Sequence, residues 1–120
     1  MSANKVTFLM RHAPYGSVYA AEGFRATMGI AVFECPLCIV FMDDGVYALA
    51  KRQNPAALEM KPLGEGFPTL GEVGVSEFYV HDASLAERGL TPDDLVMGVQ
   101  VVNSAQVADI LHTSGTVLPF

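Results

Sequence analysis

The chain has 120 residues, 51% hydrophobic and 17% charged, which fits one folded domain with a composition well away from disorder. Seven basic against thirteen acidic side chains leave a formal net charge of −6. Nucleic-acid recognition needs clustered Lys and Arg, and here Lys5, Arg11, Arg25, Lys51, Arg52, Lys61 and Arg88 are scattered.

The first predicted strand is Val6–Met10, and the turn 13–17 (Ala-Pro-Tyr-Gly-Ser) follows it, with Ser17 as a possible N-cap. Ala20, Phe24, Thr27, Met28 and Ala31 recur at helical spacing and predict a helix with one apolar face. Gly23 and Gly29 each weaken that helix by about 1 kcal/mol relative to Ala, which close packing on a sheet would explain. Leu37–Met42 is apolar at consecutive positions, the pattern of a strand buried on both faces. Asp43-Asp44-Gly45 terminates it, and Val46, Leu49 and Ala50 begin a second helical segment. Residues 54–68, rich in Pro and Gly, read as a surface excursion.

A third strand is expected over Phe78–Val80. Ser84-Leu-Ala-Glu87 has capping-box spacing, and Gly89 lies where a helix end favours a left-handed residue. Thr91-Pro92 opens a further turn, with Pro suited to the first helical position. Val99–Val102 forms a fourth strand, Asn103 or Ser104 caps a helix to Leu111, and Thr116–Phe120 forms a fifth. Strands alternating with helices imply an α/β domain of three layers: a mainly parallel five-stranded sheet with helices on both faces. The chain contains no apolar run long enough to span a bilayer, and residues 1–12 lack a secretory pattern, so a cytoplasmic protein is expected.

In such sheets, reacting groups and ligands gather at the carboxyl ends of the strands. Those positions are Arg11 to Ser17, Asp43 to Gly45, His81 to Ser84 and the stretch after Val102. Cys35-Pro-Leu-Cys38 has redox spacing, but its second cysteine enters a strand instead of opening a helix. Cys38 therefore reads as a buried, inert thiol, and Cys35 as the more exposed of the two. His12, His81 and His112 are too widely spaced for a local zinc site, although His12 and His81 could meet at the strand ends. Residues 13–17 lack the glycines and lysine of a phosphate loop, and so present Tyr15 and Gly16 as a tight turn. Asp43 and Asp44 are neighbours whose side chains point apart. Ser17, Ser84 and Ser104 read as caps, since none sits in a nucleophile elbow. No catalytic constellation stands out.

Three segments in register with strand ends carry a resemblance: 13–17 (APYGS), 42–49 (MDDGVYAL) and 84–90 (SLAERGL). Together with the closing 117–120 (VLPF), they resemble the TusC/DsrF branch of the DsrE-like sulfur-relay proteins over essentially the whole chain. The resemblance implies one DsrE/DsrF-like domain over residues 1–120. It also implies a hetero-oligomer with TusD/DsrE-like and TusB/DsrH-like subunits, with self-association a further possibility. Such a complex passes persulfide sulfur toward tRNA 2-thiouridine or within dissimilatory sulfur oxidation. In the cysteine-bearing branch the acceptor lies just after strand three, a place held here by His81-Asp82, so the resemblance implies a non-catalytic partner without cofactor or metal. Tyr15, Gly16, Asp44, Gly45, His81 and Asp82 are then candidates for a strand-end cleft or interface, joined by the aromatic residues Tyr19, Tyr47 and Phe67. Two alternatives stay open: a sulfur carrier using Cys35 or Cys38, and a stand-alone domain binding a small ligand around Tyr15, Asp44 and His81.

Overall fold

A computed structural model describes residues 2–13, 19–31, 36–49, 75, 77–95 and 97–120. Its strands are β1 (Ser2–Met10), β2 (Leu37–Phe41), β3 (Glu77–His81), β4 (Gln100–Val102) and β5 (Ser114–Pro119). They form one sheet in the order β4-β3-β2-β1-β5. Every pairing is parallel, so the sheet is wholly rather than mainly parallel. The helices are α1 (Tyr19–Ala31), α2 (Asp82–Glu87) and α3 (Ser104–Thr113), with 3-10 helices at Asp43–Leu49 and Pro92–Asp94.

Side chains alternate across a strand, and the two cores follow that alternation. Phe8, Met10, Leu37, Ile39, Phe41 and Val80 bury one face against Ala31 and partly buried Phe24 and Met28 of α1, and against Val46, Ala48 and Leu49. Cys38 and Val40 point the other way, to Val102 and to Val107, Ile110 and Leu111 of α3. Helices therefore cover both faces, and β2, buried at all five positions, is the consecutive apolar run expected of the central layer.

Local chemistry fixes the element ends. Asn103 accepts from the Gln106 backbone N–H at 2.8 Å while Gln106 accepts from the Asn103 N–H at 2.8 Å, a reciprocal cap that starts α3. Pro92 opens its 3-10 turn, and Asp94 accepts from the Thr91 N–H at 2.8 Å. Gly89 is left-handed, with φ +66°, as its place after α2 requires. Gly23 packs under Met10: a Cβ there would lie 2.6 Å from the Met10 sulfur. Gly29 meets nothing within 4 Å, so packing does not account for it.

The second helical segment is a 3-10 helix that starts at Asp43 instead of Val46. One expectation changes. Ser84 is not an N-cap: β3 runs straight into α2, His81 occupies the cap position, and Ser84 lies inside the helix. The excursion at 54–68 and Ser17 lie outside the described residues.

Candidate functional site

The carboxyl ends of β1, β2 and β3 converge with the start of α3, as the topology demands. The Met42 N–H donates to the Met10 carbonyl at 3.0 Å, which pins the 3-10 helix of β2 beside the end of β1. Gly45 makes this approach possible, because a Cβ there would lie 1.9 Å from the Met10 carbonyl oxygen. Gly45 is buried and contributes backbone space, with no side chain to offer a ligand.

At the centre lies His81, whose side chain is 12% exposed. Its Nδ1 is 2.7 Å from the Ser84 hydroxyl and its Nε2 is 2.7 Å from the Ser104 hydroxyl. Ser84, itself 2% exposed, also accepts the backbone N–H of Asp43 at 2.8 Å. Asp43 stands at φ +52°, a left-handed conformation that costs a non-glycine residue about 1 kcal/mol or more. Its carboxylate accepts from Arg11 Nε at 2.9 Å. Asp44 turns the opposite way and accepts from Arg88 Nε at 3.0 Å, while Arg88 Nη1 donates to the Ser84 carbonyl at 3.1 Å. Asp82 accepts its neighbour Ala83 N–H at 2.6 Å, and its carboxylate is 3.9 Å from His81 Nε2.

The network thus joins His81, Asp82 and Asp44, three of the residues singled out from sequence. Arg11 stands at a strand end marked in the sequence, whereas Arg88 lies outside those positions, although it follows Ser84 at the i,i+4 spacing that puts both on one helix face. Ser84 and Ser104 have the sequence context of caps, yet both bond the imidazole. Tyr15, Gly16, Cys35 and Phe67 lie outside the described residues. His12 does not join His81; its ring stacks on Tyr19 with centroids 4.3 Å apart. Tyr19 is 50% and Tyr47 37% exposed. Among the described residues no three His, Cys, Asp or Glu side chains converge as a metal site would need. No helix among them is long and apolar enough to cross a membrane.

Cys38 lies away from this network, in the cross-sheet row Thr7–Cys38–Glu77 on the α3 face. It is fully buried, and burial pushes its thiol up to about 11. The Lys5 charge and the Thr7 hydroxyl oppose that shift and Glu77 reinforces it, but desolvation dominates. Lys5 reaches Glu77 at 3.3 Å, and the Tyr79 hydroxyl donates to the same carboxylate oxygen at 3.0 Å. Burial, reinforced by that carboxylate, pushes the Tyr79 phenol up to about 12.

The model of the DsrE/DsrF-like family matches residues 4–120. The intracellular sulfur oxidation protein DsrF of Allochromatium vinosum is 36% identical over 130 aligned residues, covering 97% of this chain and 96% of the relative. A TusC homolog of Vibrio vulnificus is 33% identical over 117 residues, covering 98% and 99%. The crystal structure of the ychN protein of E. coli superposes with a TM-score of 0.84 at 23% identity, covering 98% of this chain and 99% of that one, a likeness of fold.

Proposed function

The chain belongs to the DsrE/DsrF-like family, and on that premise we propose that it is the non-catalytic subunit of a sulfur-relay complex. In this reading residues 1–120 act as a single cytoplasmic domain that assembles with TusD/DsrE-like and TusB/DsrH-like subunits. The acceptor thiol belongs to the TusD/DsrE-like partner. The names of the relatives, DsrF and TusC, support membership of a sulfur pathway, and the DsrF relative is an intracellular sulfur oxidation protein.

The observation that carries the reading is the state of Cys38. A persulfide acceptor must attack as an accessible thiolate. Cys38 is fully buried and holds its proton to about 11, so it suits neither the attack nor the hand-over. The strand end where the resemblance expects an acceptor carries an imidazole and a carboxylate, neither of which forms a persulfide. The exposed carboxylates Asp44 and Asp82 and the aromatic rings Tyr19 and Tyr47 are the surface offered to partner subunits.

Persulfide loading tests the assignment. The protein is incubated with a cysteine desulfurase and free cysteine, alkylated, and weighed intact beside a TusD-like subunit. The expected result is a sulfur adduct on the TusD-like subunit and none on this chain. An adduct on this chain that disappears in Cys35→Ser or Cys38→Ser makes it a carrier and overturns the reading. Co-expression with TusD-like and TusB-like subunits is expected to yield one hetero-oligomer in size-exclusion chromatography; a persistent monomer refutes the scaffold role.

A further inference from the structure

We propose that His81 is a proton-operated latch that sets the backbone at the end of β2 through Ser84. The hydrogen bonds of the strand-end network carry this latch independently of the sulfur-relay reading. A serine hydroxyl has one proton and two lone pairs. At Ser84 one lone pair is committed to the Asp43 N–H at 2.8 Å. One proton and one lone pair remain, and His81 Nδ1 lies 2.7 Å away.

With a neutral ring, Ser84 donates its proton to Nδ1, and the Nε2 proton goes to Ser104 Oγ at 2.7 Å. Each of these polar atoms is then used once, which favours the Nε2–H tautomer. Proton uptake places an N–H on both ring nitrogens. Ser84 must then accept from Nδ1–H, turn its own proton away from the ring, and hold two donors on one oxygen. The added donor is cationic and forms the stronger bond. It takes the second lone pair, so the Ser84 oxygen must re-aim to serve two donors, and its geometry toward the amide of the left-handed Asp43 changes with the ring.

The charged groups around the ring come from each packed element. Asp82, adjoining on α2, has a carboxylate oxygen 3.9 Å from Nε2. Arg88 on the same helix is tied to Asp44 and to the Ser84 carbonyl. From the 3-10 helix come Asp43 and Asp44, and from the end of β1 comes Arg11, paired to Asp43. The start of α3 contributes the neutral Asn103, Ser104 and Gln106, and β4 contributes Val102, which sits opposite His81 in register. Asp43 and Asp44 each have an arginine partner, so Asp82 is the carboxylate that bears most directly on the ring.

The output of the latch is the pose of Asp43 and Asp44. These adjacent residues send their carboxylates to Arg11 and Arg88 on different elements, so a turn at the Asp43 peptide moves both ion pairs. Protonation at one histidine is thereby transmitted to the exposed rim of the strand ends.

Heteronuclear NMR of the full chain across pH 5 to 8 tests this. The ring nitrogens of His81 report tautomer and protonation, and the Asp43 amide reports the latch. The expected result is an Nε2–H tautomer at high pH and an Asp43 amide that shifts with the midpoint of the His81 ring. In Ser84→Ala the ring still titrates and the Asp43 amide no longer follows it. Should that variant unfold, His81→Gln serves instead: the Asp43 amide loses its transition between about pH 5 and 8. An Asp43 amide that ignores the ring, follows only the carboxylate range, or keeps tracking in Ser84→Ala overturns the proposal. So does a ring that never titrates in this range.

Discussion

Cys38 offers a quantitative check on the buried row of the sheet. Its thiol is raised from 9.0 to about 11, and two units mean about a hundredfold less thiolate than an unperturbed cysteine at neutral pH. Burial multiplies that factor, because a side chain with no exposed surface reacts only when the structure opens. In a Cys35→Ser background, a disulfide reagent at neutral pH is expected to label the native protein at least about a hundredfold more slowly than the urea-unfolded chain. The same shift makes stability fall at high pH. The unfolded thiol releases its proton near 9.0 while the native one holds it to about 11, so alkali favours the unfolded chain between those values. The loss is at most about 1.4 kcal/mol for each pH unit, and the Tyr79 phenol, held up to about 12, adds to it in the same direction. Urea titrations from neutral to alkaline pH check this: Cys38→Ala is expected to show a shallower decline above pH 9.0. Native labelling within tenfold of the unfolded rate, or equal alkaline slopes in both proteins, would refute the account of the buried row.

Two further outcomes follow from packing at the element ends. Gly45→Ala places a Cβ 1.9 Å from a backbone carbonyl, a clash that no side-chain rotamer can relieve. It is expected to cost about 3 kcal/mol or more, read as a lower urea midpoint. Asn103→Ala removes the side-chain half of the cap on α3 and is expected to cost about 1 kcal/mol, with Asn103→Asp restoring most of it. Equal thermal stability of Asn103→Ala and the parent would show that the cap contributes nothing.

The strands and caps were legible in the sequence because their signals are local. The run 37–41 is buried at every position, and the Asn103 and Thr91-Pro92 signatures lie within a turn of the ends they fix. Ser84 shows where local reading fails. Its spacing to Glu87 fits a capping box, yet β3 enters α2 without a loop, and the hydroxyl serves a backbone N–H 41 residues earlier in the chain. Asp43 likewise reads as a strand terminator, and its left-handed φ of +52° goes with tertiary partners, Ser84 and Arg11, that lie far from it in the chain. His81 could be marked from its strand-end position. Its two serine partners, three and 23 residues away, could not.

The neighbouring of β1 and β5 has a consequence for how the protein is made. The first strand lies inside the sheet, and its outer partner is the last strand; the Thr7 and Ser114 hydroxyls that meet across them are 107 residues apart. Phe120 completes the closure, with its N–H on the Leu9 carbonyl, its own carbonyl accepting from the Arg11 N–H, and its ring stacked on Phe8. During synthesis β1 emerges well ahead of β5, with 107 residues between Thr7 and Ser114, and must wait with one hydrogen-bonding edge open until β5 has left the ribosome. The order of the strands therefore makes the earliest segment the last to be finished, and an unpaired edge held that long is where a chaperone would bind or a premature partner would pair.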